Sequence, residues 1–138
     1  MGRITLQVDQ IVAELKTISA LTTATNGIYF GLPMREPSSW IYIAINIVSN
    51  ITTDEYSNRA RLEFNVIAAN ENITPKEIMD VVAIIDDSII TQDDSVPSLF
   101  WTFDVFKVSW ANTMWPVYIN KNKITIKKDY IFSYGAKD

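Results

Sequence analysis

The chain has 138 residues, no cysteine, no histidine and a formal net charge of −4. Disulfides, thiolate metal sites and thiol nucleophiles are therefore excluded, and the commonest general base and zinc ligand is missing. The length suits one domain, residues 1–138, that buries roughly two thirds of its unfolded surface; the acidic balance is opposite to the basic field of a free nucleic-acid binder.

The opening "MGRITLQVDQIVAELKTI" lacks the apolar core of a signal peptide. No run approaches the ~18 apolar residues that span a membrane, so no membrane contact is expected. Val8, Ile11, Val12, Leu15 and Ile18 recur at helical spacing, with Asp9, Gln10, Glu14 and Lys16 opposite. This predicts an amphipathic helix over residues 6–20, broken by "TTATNG". Ile28 to Phe30 reads as a short strand, and "GLPMREPSS" as a loop. "WIYIAINIVS", residues 40–49, is nearly continuous in β-branched and aromatic residues and reads as a strand covered on both faces.

"DEYSNRARLEFNVIAAN" then alternates strictly. Tyr56, Asn58, Ala60, Leu62, Phe64, Val66 and Ala68 share a face that must be core; Ser57, Arg59, Arg61, Glu63, Asn65 and Ile67 share the other. The two strands most simply pair as an antiparallel hairpin. A strand as long as the second in a small domain extends past its core or bends at a bulge. In "NITPKEIMDVVAIIDDSIITQ", Thr74 suits a helix N-cap, Pro75 the first helical position and Glu77 the position three after the cap. Ile78, Val81, Val82, Ile85 and Ile89 form its inward stripe. Met79, Ala83 and Ile84 spread apolar surface beyond what one sheet face requires. They are covered either by the chain itself or by a neighbouring subunit.

From Leu99 a second long strand is expected, with Leu99, Trp101, Phe103 and Val105 alternating against Phe100, Thr102, Asp104 and Phe106. Further strands follow at Trp115–Ile119, Ile124–Ile126 and Tyr130–Tyr134, the first two joined by a turn at "NKNK". The fold class is α+β, with a mostly antiparallel twisted sheet and two main helices packed on one face. Charge is uneven along the chain: residues from Trp101 onward carry a net +3, which leaves −7 for the first hundred. Such polarity could let copies attract one another head to tail, although an ordinary solvated hairpin with lysines is the better account of it.

No phosphate-binding, nucleophile-elbow or metal motif is present. Asp86-Asp87 and Asp93-Asp94 do not converge on a common point, and helix-end and loop solubility explains them better than a cation site. No cofactor or metal is expected. Asp104, on an otherwise apolar strand, could be an acid of shifted pKa, but an aspartate facing solvent or an interface is the better reading, which makes it a candidate interface acid. The aromatic residues of the last third suit a β core and a subunit interface better than base stacking, given the acidic total.

The order of elements resembles the small tail-terminator (tail-completion) proteins of long-tailed bacteriophages. The pieces that carry the resemblance are the N-terminal helix, "NGIYFGLP", "WIYIAINIVS" and, closest, "RLEFNVIAANENITPKEIMDVVAIID". It spans most of the chain and rests on pattern. It implies a non-enzymatic virion protein, assembled in the host cytoplasm into a homo-hexameric ring. Such a ring caps the tail tube, contacts the tail-tube protein and the head-completion or neck protein, and lets DNA pass through its lumen without specific binding. Another phage neck, tail-tube or capsid-associated protein remains an alternative, as does a small-molecule-binding α+β module or a carboxylate-only hydrolase. The candidate interface residues are Arg59, Arg61, Glu63, Met79, Ile84, Trp101 and Asp104. The arginine face is expected to meet a neighbouring copy, line a lumen or simply face solvent, and Arg59→Glu with Arg61→Glu to weaken assembly more than folding.

Overall fold

Strict alternation over residues 57–68 places one strand at the centre of the molecule. In the computed structural model, which describes residues 8–25, 27–31, 41–52, 57–68, 73–91, 98–101, 105–113, 116–120 and 123–135, this is β3 (Ser57–Ala68), following β1 (Gly27–Phe30) and β2 (Ile41–Thr52). Its twelve residues span about 40 Å at ~3.3 Å each. It pairs antiparallel with β2, from Thr52 opposite Asn58 to Ile41 opposite Ala68. On its other side it pairs along its whole length with the last strand, Lys123–Gly135. That strand is β6, after β4 (Val105–Thr113) and β5 (Val117–Asn120). The sheet order is β1-β2-β3-β6-β4, with β5 also on β6; only the β1–β2 pairing is parallel. A register shift falls on β2, between Ile47 and Ser49, while β3, the strand whose length suggested a bulge, pairs with β6 without one.

Helices α1 (Val8–Leu15), α2 (Ser19–Ala24) and α3 (Pro75–Ile89) cover one face. Their buried residues join Ile43, Ile45, Leu62, Phe64, Val66 and Phe132 in one apolar cluster, so the fold is α+β with helices on a single face. Phe64 sits at its centre, edge-on to Tyr130 at 4.9 Å and stacked on Phe132 at 6.4 Å. Burying such a ring stabilises by roughly 1.5–3 kcal/mol, and each aromatic pair adds about 0.5–1.5 kcal/mol. On the opposite face, the described residues form a small apolar cluster of Tyr42, Ala44 and Ile67, with Tyr29 against it.

α3 forms as its sequence requires. Thr74 is extended and its hydroxyl accepts from the Glu77 N–H at 3.4 Å, with Pro75 at the first helical position. The expected stripe is buried throughout. The helix stops where Ile90 becomes extended and donates its N–H to the Asp86 carbonyl.

Three expectations need correction. The N-terminal helix is not continuous: Thr17 and Ile18 make tighter bonds to Glu14 and Leu15, and a second helix starts at Ser19. The Thr17 hydroxyl donates to the Glu14 carbonyl at 2.6 Å, and this local competition favours breaking a helix. Thr22 and Thr23 lie inside α2 and do not end the first helix. The second long strand does not begin at Leu99. Residues 99–101 turn, and the strand starts at Val105. Ser98 holds that turn, donating to the Val105 carbonyl at 2.5 Å and accepting from the Phe100 N–H at 3.2 Å. A stretch apolar on much of both faces has no clear period to reveal such a turn. Finally, Ile124–Ile126 and Tyr130–Tyr134 belong to one uninterrupted strand, β6.

Candidate assembly surface

The polar side of β3 lies on the sheet face away from the helices. Register places Glu63 directly opposite Asp129, an unfavourable pairing of acids. Each is neutralised diagonally. Arg61 donates through Nε and Nη2 to Asp129 Oδ2 at 3.0 and 2.6 Å, and Lys127 Nζ reaches Glu63 Oε2 at 2.9 Å. Asn65 Nδ2 donates to Glu63 Oε1 at 2.8 Å. Burial alone would push the Glu63 carboxyl up. The bonds from Asn65 and Lys127, with the charges of Lys127 and Arg61, outweigh it and hold the group below the usual range. The Glu63 carboxylate in turn raises Lys127.

Arg61 and Glu63 are therefore braces between β3 and β6. Asp129 is only 3% exposed, and its Oδ1 has no partner among the described residues. Arg59 differs: it is exposed and makes no side-chain bond or ion pair among the described residues. It borders a hollow of about 220 Å³, lined also by Ser49, Arg61 and Ile131.

The other candidates lie elsewhere. Met79 is 41% exposed on the outer side of α3. Around it are the Lys76–Asp80 pair, 3.1 Å apart, and the exposed Ala83 and Asp87. Ile84 is half-buried against the core, which narrows the unburied apolar surface of the helix to Met79 and Ala83. Trp101 is 56% exposed in the turn before β4. Asp104 lies outside the described residues. The candidates thus occupy the far face of the sheet, the helical face and the β4 end, and form no single site.

One cluster escaped the sequence. Lys128 and Tyr130 point to the helical side of β6, where both meet Asp86 of α3, Lys128 Nζ at 3.1 Å and the Tyr130 hydroxyl at 2.5 Å. Trp110 of β4 lies over the ammonium, its ring centre 5.1 Å away. Burial, then the hydrogen bond to Asp86, pushes the Tyr130 phenol far above its ordinary value. Asp87 faces solvent, as helix-end solubility requires, but Asp86 does not serve solubility: it ties α3 to the sheet. Two adjacent lysines on a strand must point to opposite faces, so "KK" at 127–128 was the available signal.

Charge separates by layer more sharply than along the chain. The outer surface of α1, α3 and the turn after α1 carries Asp9, Glu14, Glu77, Asp80 and Asp87 against Lys16 and Lys76. The far face of the sheet carries Arg59, Arg61, Lys107, Lys123 and Lys127 against Glu63 and Asp129. A cleft of about 340 Å³ between the N-terminal helices and β1 is lined by Lys16, Thr22, Thr25, Gly27, Ile28 and Tyr29, with no acid among them. Among the described residues no three acids group to hold a metal ion, and no helix is long and apolar enough to cross a membrane.

No protein-family model matches the chain, and no curated protein matches its sequence. A solved chain shares its fold. It belongs to a structure described as "Virion of native gene transfer agent (GTA) particle", and it superposes with a TM-score of 0.61 over 89% of this chain and 90% of its own length. Identity is 10%, so the likeness is one of fold.

Proposed function

We propose that the chain is a structural protein of a virion: a tail terminator whose copies close into a hexameric ring, cap the tail tube and join it to the head or neck. The observation that carries this reading is the likeness in fold, along nearly the whole of both chains, to a component of a virion particle. The order of strands and helices that resembles tail terminators adds the finer assignment. Several features suit a part that works by contact. Opposite charge sits on opposite layers, and Met79, Trp101 and Trp110 are exposed. Trp101 and Met79 are candidate contacts with a neighbouring copy or the tube. DNA passes through the ring without sequence-specific binding.

Negative-stain microscopy of the purified protein, alone and mixed with purified tail tubes, tests this. Six-fold rings, and a single ring at one end of each tube, are expected. A protein that stays monomeric at high concentration and binds no tube refutes the ring. Rings found only at another position in the virion refute the terminator assignment while leaving a structural role.

A further inference from the structure

We infer that neighbouring copies meet layer to layer: the arginine-bearing far face of the sheet of one copy seats on the outer side of α3 of the next, with Arg59 opposite the acids of that helix. This rests on the reading above that copies of the chain associate. Three observations carry it. The two layers have opposite charge, so a copy is complementary to its own other side, as a head-to-tail contact requires. On β3 and α3, Arg59 and Asp87 are exposed charges without a side-chain partner among the described residues: Arg61 is committed to Asp129, Glu63 to Lys127 and Asp80 to Lys76. The surfaces also match in relief. The hollow of about 220 Å³ beside Arg59 is concave and partly apolar through Ile131, while α3 projects the flexible, exposed Met79 beside Asp80 and Ala83. A linear thioether fills an irregular hollow without demanding one geometry, and the acids around it meet the arginines at the rim.

The contact is heterologous: each copy gives one layer and receives the other. It therefore predicts a behaviour that a two-fold contact does not. Arg59→Glu spoils only the sheet side of a copy, and Asp87→Arg only the helix side. Alone, each should raise the concentration for half-assembly about tenfold, with a weaker dependence on salt. Mixed in equal amounts they should recover, because a spoiled sheet side then meets a spoiled helix side of opposite charge and copies alternate. The double variant in one chain should recover as well.

Sedimentation velocity of wild type, both single variants, their mixture and the double variant reads this directly, with thermal melts to confirm that each is folded. Singles that assemble like wild type, or a mixture that stays as weak as either single, overturn the layer-to-layer contact and leave the ring reading standing. A wild type that associates neither alone nor on tail tubes overturns both. Loss of binding to a double-stranded DNA fragment in Arg59→Glu, with self-association unchanged, assigns the basic face to DNA and also overturns the inference.

Discussion

Truncating Arg61 to alanine removes both hydrogen bonds to Asp129 and leaves a carboxylate that is 3% exposed without a cation. Removing one partner of a fully buried pair costs about 3–5 kcal/mol. Here the Arg61 side chain is itself 40% exposed, so water reaches the vacated position and the expected cost falls to about 2–3 kcal/mol. For a chain of this length that lowers the melting temperature by about 6–12 °C. Arg59→Ala, two residues along the same face, breaks no bond and should stay within about 0.5 kcal/mol of wild type. Urea unfolding followed by tryptophan fluorescence measures both. A double-mutant cycle with Asp129→Asn isolates the pair: adding it to Arg61→Ala should cost less than the two single changes together. If Arg61→Ala proves as mild as Arg59→Ala, Asp129 does not depend on that bridge and the bracing role is wrong. The same contrast explains why reversing both arginines together cannot separate assembly from folding: the Arg61 half of that change sets a new acid beside a buried one.

Phe64→Ala should cost about 3–5 kcal/mol in equilibrium unfolding, because the ring is wholly buried and touches two other rings that cannot collapse into its space. Gly31 has φ +77 and a built methyl group there would meet nothing closer than 3.9 Å, so Gly31→Ala should cost about 1 kcal/mol from backbone strain alone; a neutral result in the same assay contradicts that conformation. Tyr130 titrates higher folded than unfolded, where its value is 10.0. Its contribution is therefore complete below pH 10 and lost above it, with a slope of about 1.4 kcal/mol per pH unit. Unfolding free energies should fall towards that slope above pH 10 in wild type and less steeply in Tyr130→Phe. Glu63 titrates lower when folded than its ordinary 4.5, so its support is present above pH 4.5 and fades as pH falls below it; Glu63→Gln should flatten the acid limb of the stability profile.

The parts legible in the sequence were those where periodicity meets a single environment. β3 has a clean period of two because one face is core and the other polar, and α3 carries its cap, its first proline and its stripe in register. The N-terminal helix misled because Ile18 continues the spacing of Leu15 across a break made by a threonine hydroxyl. Residues 99–106 misled because apolar side chains on both faces erase the period, and Ser98, the residue that makes the turn, lies just outside the run. At the candidate surface, the sequence identified the charged face but not its division of labour. Which arginine is a brace and which is free depends on Asp129 and Lys127, some sixty residues away, and becomes visible only when the register of β3 on β6 is known. The same holds for Asp86, whose neighbour Asp87 has identical chemistry and the opposite surroundings.

The two edges of the sheet are finished differently. Along β4, Val105 and Val108 have their outward backbone groups taken by Phe100, Ser98 and Thr91, and the strand slips register again beyond Trp110. On β2, the short β1 reaches only as far as Ile45, and no described strand covers the stretch from Ile47 to Thr52, where Ile47 and Val48 are exposed. Among the described residues, the stretch of β2 from Ile47 to Thr52 thus offers an open side for accidental strand-to-strand sticking. Two molecules that join there each occupy the stretch that the other offers. Misassembly of concentrated protein by this route favours a closed pair over a growing fibre.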